Sequence, residues 1–294
     1  MLKKTISVVV TSYNYGAFIK EAVDSILSQT FASFEIIIID DGSSDNTRAI
    51  LSKFNDPRII YCYQENQGQP KAKNRGIRES SGELIAFLDA DDVWLPSKLA
   101  KQVALFAKPE VGVVYSRRKW IDSSGKIISG NERVLRKGWI LDDIFVDNFV
   151  CFSSSVVRRS YLEQVGYFDE SLPMGIDYDL WIRLACMCKF NFVDEPLVFY
   201  RTGHANLSKN TMKRYECAQT IMRKNLSDPK VRGAMSWWVP NLAWADTWSN
   251  FGVYLASVGD YKASIYYNCK AALKYPIYLP VYKRLLKSLI LALR

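Results

Sequence analysis

Leu84-Ile85-Ala86-Phe87-Leu88-Asp89-Ala90-Asp91-Asp92 is an apolar run that ends on three carboxylates within four residues. The run has the length and composition of a buried strand. Carboxylates crowded at its end repel one another unless positive charge lies between them. A divalent cation held by hard oxygen ligands and shared with a diphosphate meets that need. An acidic turn that caps a helix looks similar, and Asp92-Val93-Trp94-Leu95-Pro96 also reads as a helix start.

Working outward, Ile6 to Val10 and Phe34 to Ile39 read as two further buried strands, and Ile59 to Tyr63 as another. Helical patterns separate them: Ala17 to Leu27, a segment capped by Ser44 or Asp45 and running to about Phe54, and Pro70 to Glu79. Strands alternating with helices specify an α/β fold with a parallel sheet and helices on both faces. Ligands of such sheets bind beyond the carboxyl ends of the strands, where Thr11-Ser12-Tyr13-Asn14, Asp40-Asp41 and Asp89 to Asp92 all fall. Neither a dinucleotide Gly-x-Gly-x-x-Gly fingerprint nor a phosphate loop occurs.

Beyond Val111 the pattern loosens into a strand near Val113 to Tyr115, a hairpin from Ile121 to Gly130 with Ser-Ser-Gly at its tip, and a strand from Phe149 to Val157. Asp177 then opens an apolar helical stretch bearing Leu180, Trp181 and Leu184. Val198 to His204 leaves a strand and ends on the single histidine. These features place a catalytic domain at 1–205 and a helical region at 206–294.

In the helical region, Trp248, Phe251, Gly252, Leu255, Gly259-Asp260, Ser264, Ala271 and Pro276 match the spacing of one tetratricopeptide-like hairpin. One such repeat cannot bury its own face, so the hairpin needs a neighbour. Tyr282 to Arg294 interleaves Lys283, Arg284 and Lys287 with Leu285, Leu286, Leu289 and Ile290, a basic amphipathic helix.

Charge divides the same way. The 294 residues carry a net charge of +9, but residues 205–294 hold 14 Lys/Arg against 4 Asp/Glu, a net of +10. The first 204 residues are therefore near neutral, and the basic region suits an anionic surface, either membrane or nucleic acid. No secretory signal or spanning helix is legible, which points to a cytoplasmic protein, peripheral on the inner face of the plasma membrane. The six cysteines form no CxxC pair and read as reduced, mostly buried thiols.

A nucleotide-diphosphate donor needs a platform for its base, a ribose contact and neutralisation of its diphosphate. Tyr13 can stack on a base, Thr11 and Asp41 can bond its edge, and Asp89, Asp91 and Asp92 can hold ribose and metal. Asp177 can take the proton of an attacking hydroxyl. Each also has a plainer use: Tyr13 in packing, Asp40 or Asp41 in the turn, Asp177 as a helix cap, His204 as a surface residue.

Val8-Val9-Val10-Thr11-Ser12-Tyr13-Asn14, Ile38-Ile39-Asp40-Asp41-Gly42-Ser43-Ser44-Asp45, Asn66-Gln67-Gly68 with Asn74-Arg75-Gly76, Phe87 to Asp92 and Asp177-Tyr178-Asp179-Leu180-Trp181 together resemble family 2 glycosyltransferases with the GT-A fold. The resemblance covers about residues 5–205. It implies a Rossmann-like, mostly parallel sheet with flanking helices, followed here by an α-helical extension. It also implies inverting sugar transfer from a nucleotide sugar, a UDP-linked donor in the first instance, with Mn²⁺ or Mg²⁺. By position, Thr11, Tyr13 and Asp41 resemble the base-binding residues, and Asp89 and Asp91 the Asp-x-Asp pair with Asp92 a rival metal ligand. Asp177 resembles the catalytic base, and His204 the late histidine that closes over diphosphate or metal. Two positions depart from the pattern: Ile176 stands where the family often has Glu, and Lys73 where it often has Arg.

The expected partners are a nucleotide sugar, a glycan or lipid-linked acceptor in surface polysaccharide or glycolipid synthesis, and an anionic membrane, with no nucleic acid. A sugar nucleotidyltransferase is the rival enzyme reading, but it expects a Gly-rich basic loop after the first strand. A non-catalytic basic scaffold module is the other rival, and it leaves the Asp89 cluster and Asp177 without purpose.

Overall fold

The computed structural model describes residues 6–203 and 210–293. The chain forms two compact units, one built from Met1–Ile140 with Phe149–Asn206, the other from Leu141–Asn148 with Leu207–Arg294.

The first unit is an α/β sheet protein. Strands β1 (Ile6–Ser12), β2 (Phe34–Asp41), β3 (Ile59–Gln64) and β4 (Leu84–Asp89) are joined by α1 (Ile19–Leu27), α2 (Thr47–Leu51) and α3 (Gln69–Glu79). They lie parallel in the order β3-β2-β1-β4. Side chains alternate between faces. Val8, Val10, Ile36 and Ile38 pack with Ile19, Ala22, Val23 and Ile26 of α1. Ile37 and Ile39 pack with Ala72 of α3 on the opposite face. There α3 approaches so closely that a Cβ on Gly76 would stand 2.4 Å from Val9 Cγ1.

The sheet then changes character. After β5 (Val93–Trp94) and α4 (Lys98–Val103) come β6 (Val111–Ile121), β7 (Ile127–Ile128), β8 (Val156–Arg158), α6 (Arg159–Val165), α7 (Ile176–Ala185) and β9 (Lys189–Arg201), with α5 (Leu141–Val146) belonging to the second unit. The order continues β4-β8-β6-β9-β5, with β8 antiparallel to β4 and β6, and β5 antiparallel to β9. The sheet is thus mixed rather than wholly parallel.

Three local readings change. Val93 and Trp94 form a strand against Phe199 and Val198, not the start of a helix. Of the strand expected from Phe149 to Val157, only the end pairs. The Ser154 and Ser155 hydroxyls donate to the carbonyls of Cys151 and Phe152 and hold a 3₁₀ turn instead. The hairpin after β6 forms, with Ile121 opposite Ile127. Asp45 does not cap α2, whose N-cap is Asn46. Its carboxylate accepts from the backbone N–H groups of Thr47 and Gly16 and ties the β1 and β2 loops together.

The second unit is helical: α5 with α8 (Thr211–Ser227), α9 (Pro229–Ala234), α10 (Val239–Ser257), α11 (Tyr261–Lys274) and α12 (Leu279–Ala292). The hairpin of α10 and α11 turns at Gly259, in the left-handed region at φ 87°, and Asp260 caps α11 through Ala263 N–H. Helices α5 and α8 supply the neighbours it needs. Ser236 before α10 donates to Asp142 of α5, and Tyr215 of α8 stacks on Phe251 with ring centroids 3.8 Å apart. Helix α12 docks through Val281, Ser288 and Arg284. All six cysteines are free thiols; Cys151, Cys188 and Cys217 are buried and Cys269 is exposed. No helix among the described residues is long and apolar enough to cross a membrane.

Candidate active site

Parallel register brings the first three polar clusters to one rim, since Thr11 lies beside both Ile39 and Asp89, and Ser12 beside Asp40. Tyr13 stands out from the rim, 49% exposed. Asn14 follows it with φ 59°, a conformation that Asn tolerates, and its side-chain oxygen accepts from Ser44 N–H at 2.8 Å.

The two aspartates closing β2 differ. Asp40 is fully buried and accepts from Ser43 N–H and the Tyr61 hydroxyl, both at 2.9 Å, so it builds the turn. Asp41 accepts from Gln64 Nε2 at 2.6 Å and from the N–H groups of Gln67 and Gly68 at 2.9 Å. Three of roughly four lone-pair positions are filled, leaving one for a ligand donor. Gln64 also walls a cavity of about 370 Å³ with Gln67, Lys71, Arg75, Arg78 and Glu170, a net positive lining that suits an anionic ligand.

At the end of β4 the three carboxylates also separate. Asp89 is half-buried, and one of its oxygens pairs with Lys73 Nζ at 2.7 Å. Lys73 in turn lies 4.0 Å from the Phe152 ring centroid. Asp91 is 8% exposed. Asp92 is 1% exposed, and both its oxygens accept protein hydrogen bonds, from Arg201 N–H at 2.8 Å and from the Ser153 hydroxyl. Burial, then the charges of Asp91 and Asp89, push the Asp92 carboxyl well above the usual range. Burial and the same three aspartates raise the Tyr15 phenol. The rim therefore crowds negative charge that Lys73 offsets only at Asp89.

That excess, on hard oxygen donors, is the condition a divalent cation relieves. The residues fit such an ion in chemistry: Asp91 is the carboxylate that would hold it, together with a diphosphate. Among the described residues there is no group of three or more His, Cys, Asp or Glu side chains that could hold a metal without such a ligand. Asp92 is turned to the protein, and His204 lies outside the described residues.

Asp177 enters from α7. Gly175, at φ 73°, takes the left-handed turn before the helix, and Asp177 is in its first turn, half-buried. Asp179 is fully buried and pairs with Arg183 at 2.9 Å; Arg183 also donates to the carbonyls of Val165, Gly166 and Tyr167. An aromatic chain ties this helix to β4: Phe87 stacks on Phe152 at 4.9 Å, and Phe152 lies 6.4 Å from Trp181. Asn74 stitches α3 to the loop before α7 by exchanging hydrogen bonds with Phe168 backbone and donating to Glu170. The structure thus gathers Thr11, Tyr13, Asp41, Asp89 and Asp91 at one edge and anchors the Asp177 helix to the strand that ends at Asp89.

Sequence reading missed the supports. Arg201 donates to the carbonyl of Asp91 through Nε, to Asp92 through its backbone N–H, and to Glu21 through Nη2. An arginine closing the apolar stretch Leu197 to Tyr200 was the local sign of it.

The fold and its acidic rim define a nucleotide-sugar type of α/β domain, and comparison agrees. Residues 7–166 match the family described as Glycosyl transferase family 2. The beta-1,3-glucosyltransferase WfgD of Escherichia coli, described as acting on UDP-Glc and alpha-D-GlcNAc-diphosphoundecaprenol, is 35% identical over 77% of this chain and 88% of its own. An uncharacterized glycosyltransferase of Nostoc is 33% identical over 68% of this chain and 66% of its own. For two Rickettsia relatives the aligned part is 36% of their length, so the chain spans only part of several curated relatives. The structure of S. aureus TarS 1-349 with UDP-GlcNAc superposes with a TM-score of 0.66 at 17% identity, over 92% of this chain and 81% of that one. The mannosyltransferase PcManGT of Pyrobaculum calidifontis, in complex with GDP-Man and Mn²⁺, gives 0.63 at 18% identity, over 98% and 84%. The chain belongs to glycosyl transferase family 2, and its fold is GT-A.

Proposed function

We propose that this chain is an inverting, metal-assisted transferase that moves a sugar from a UDP-linked donor to a hydroxyl of a lipid-linked glycan in surface polysaccharide or glycolipid synthesis. The observation that carries the reading is the division of labour among the rim carboxylates. Asp40 and Asp92 accept protein hydrogen bonds on both carboxylate oxygens, whereas Asp41 and the second oxygen of Asp89 keep capacity for a ligand. WfgD and the UDP-GlcNAc complex of TarS support a UDP donor, WfgD a lipid-linked acceptor, and the Mn²⁺ complex of PcManGT a divalent ion.

In this reading Tyr13 stacks on the base, Thr11 and the open position of Asp41 bond its edge, and Asp89 holds the ribose. Asp91 is a metal ligand, His204 keeps its candidate place over the diphosphate, and Asp92 is a buried support rather than a ligand. The cation supplies Lewis-acid stabilisation of the departing diphosphate. Asp177 accepts the proton of the acceptor hydroxyl as its oxygen bonds to the anomeric carbon. The bond from that carbon to the diphosphate oxygen breaks on the opposite face, and the diphosphate leaves with the electron pair. The site of action is the cytoplasmic membrane face, where lipid-linked acceptors are assembled.

A panel of nucleotide sugars with and without Mn²⁺ tests the donor class by thermal shift, since a bound ligand raises stability by mass action. UDP-sugars with metal are expected to raise Tm above every GDP- and TDP-sugar. A flat panel, or a larger shift from another nucleotide, overturns the donor assignment.

A further inference from the structure

Helix α12 has an inner face that the chain covers and an outer apolar face that it does not. Val281 is fully buried against Ala245 and Ala271, and Ser288 is 2% exposed and hydrogen-bonded to Ser264 at 2.7 Å. Arg284 lies on this inner side too, donating to Ser249 Oγ at 2.9 Å. The hairpin surface beneath is a buried polar ladder in which Ser249 donates to Asn268 and Ser264 donates to the Gly252 carbonyl. The helix is therefore held by specific contacts and does not need its remaining apolar side chains for docking.

Those remaining side chains form the outer face. Leu279, Tyr282, Leu286, Leu289, Ile290 and Leu293 are 73, 45, 59, 42, 47 and 89% exposed. At 100° per residue they fall within one sector of roughly 100°, opposite Val281 and Ser288. Lys283 and Lys287 border that sector, both exposed, and among the described residues neither makes an ion pair. Leu273 and Ile277, just before the helix, are 84 and 73% exposed. Isolated exposed leucines are ordinary, but a continuous stripe of this kind marks a docking surface.

The charge pattern selects the occupant. An apolar stripe flanked by unpaired lysines, in a region whose net charge is +10, has the character of an interfacial helix on an anionic bilayer. We propose that α12 lies in the headgroup region of an anionic membrane, its outer stripe turned into the acyl-chain boundary and Lys283 and Lys287 against the headgroups. Arg284 does not share in this, although the sequence alone groups it with the two lysines. The inference specifies the membrane partner of the proposed function and rests on that reading for its purpose, but lipid binding is measurable without catalysis.

The test is co-sedimentation of the full chain with vesicles of phosphatidylcholine alone and of phosphatidylcholine with about 30% phosphatidylglycerol, at low and high salt. Wild type is expected to partition onto the anionic vesicles at least about tenfold more strongly than onto the neutral ones, and salt should weaken it. Leu286→Gln/Ile290→Gln should lose binding at both salt concentrations. Lys283→Gln/Lys287→Gln should lose roughly tenfold at low salt only. All four sites face outward, so the fold is preserved, and an unchanged Tm for each variant checks this. Binding that survives both double substitutions overturns the proposal, as does absence of wild-type binding. A change from oligomer to monomer in Leu286→Gln/Ile290→Gln, without lipid binding by wild type, reassigns the stripe to contact between chains. Stabilisation by UDP with Mn²⁺, measured on the same samples, reports the donor reading separately, so either result can fail alone.

Discussion

Asp177 and Asp179 are two residues apart on one helix, yet their surroundings differ. Asp179 is fully buried and locked to Arg183, whose other nitrogens hold three consecutive carbonyls; losing that carboxylate would strand a largely buried guanidinium. Asp177 sits half-buried in the first helical turn after a left-handed glycine. Asp177→Asn keeps size and capping ability and removes basicity. Nucleotide-sugar affinity should stay within about twofold while turnover falls by about 10²–10⁴-fold. Calorimetry and a transfer assay on one preparation check the split, and near-normal turnover would move the base elsewhere. Asp91 and Asp92 form a second contrast. On the proposed reading, Asp91→Ala should abolish the metal dependence of UDP binding, because a cation ligand is removed. Asp92→Ala should instead lower stability by about 1–3 kcal/mol, because Ser153 and the Arg201 N–H lose their acceptor inside the protein. Equal metal dependence in wild type and Asp91→Ala would show that the cluster does not bind the ion.

At the scale of elements, close helix packing controls the second unit. A Cβ on Gly252 of α10 would stand 2.5 Å from Asn268 Nδ2 and 3.2 Å from the Ser264 carbonyl oxygen. Asn268 cannot swing aside without breaking its bonds to Ser249 and Ser264. Gly252→Ala should therefore cost about 1–3 kcal/mol by overpacking, outweighing a gain of about 1 kcal/mol in helix propensity. Gly233 in α9 has no atom within 4 Å of such a Cβ, so Gly233→Ala should be neutral or stabilising. Urea unfolding of both variants checks the contrast, and equal stability would deny the close crossing. Elements that carry their own pattern were legible in the sequence. Val8, Ile36 and Phe87 lie in unbroken apolar runs because parallel strands are buried on both faces. The serines at 153–155 broke the pattern, since hydroxyl-to-carbonyl bonds that replace a ladder leave no periodic trace. Within the rim, the polar ends of β1, β2 and β4 could be read because each is local. Lys73 with Asp89, or Arg201 with Asp92, could not, because the partners lie 16 and 109 residues apart. The outer stripe of α12 could be read as amphipathic, but which of its basic residues faces inward depended on Ser249, 35 positions before Arg284.

On the scale of the whole fold, the titration of a single lysine should appear in global stability. Lys98 is fully buried; its Nζ donates to Gln102 Oε1 at 2.6 Å and stands 3.9 Å from the Trp94 ring centroid, with no carboxylate partner in the described ion pairs. Burial holds the ammonium well below its ordinary range. Below that depressed value both folded and unfolded chains carry the proton, and Lys98 adds no pH dependence. Between it and the ordinary value of about 10.4, the unfolded chain binds one more proton than the folded chain. Folding stability then rises with pH, at up to about 1.4 kcal/mol per pH unit. The phenols of Tyr15, Tyr61 and Tyr200 oppose this, because burial raises all three and their unfolded forms release protons first. Wild type alone would mix the two signs. Lys98→Met leaves the tyrosines in place, so the difference between wild type and variant isolates the lysine. That difference should shift in favour of wild type between about pH 8 and pH 10 in urea unfolding. A constant offset would mean that Gln102 and Trp94 keep Lys98 charged through that range, with the cost of its burial already met by those two contacts.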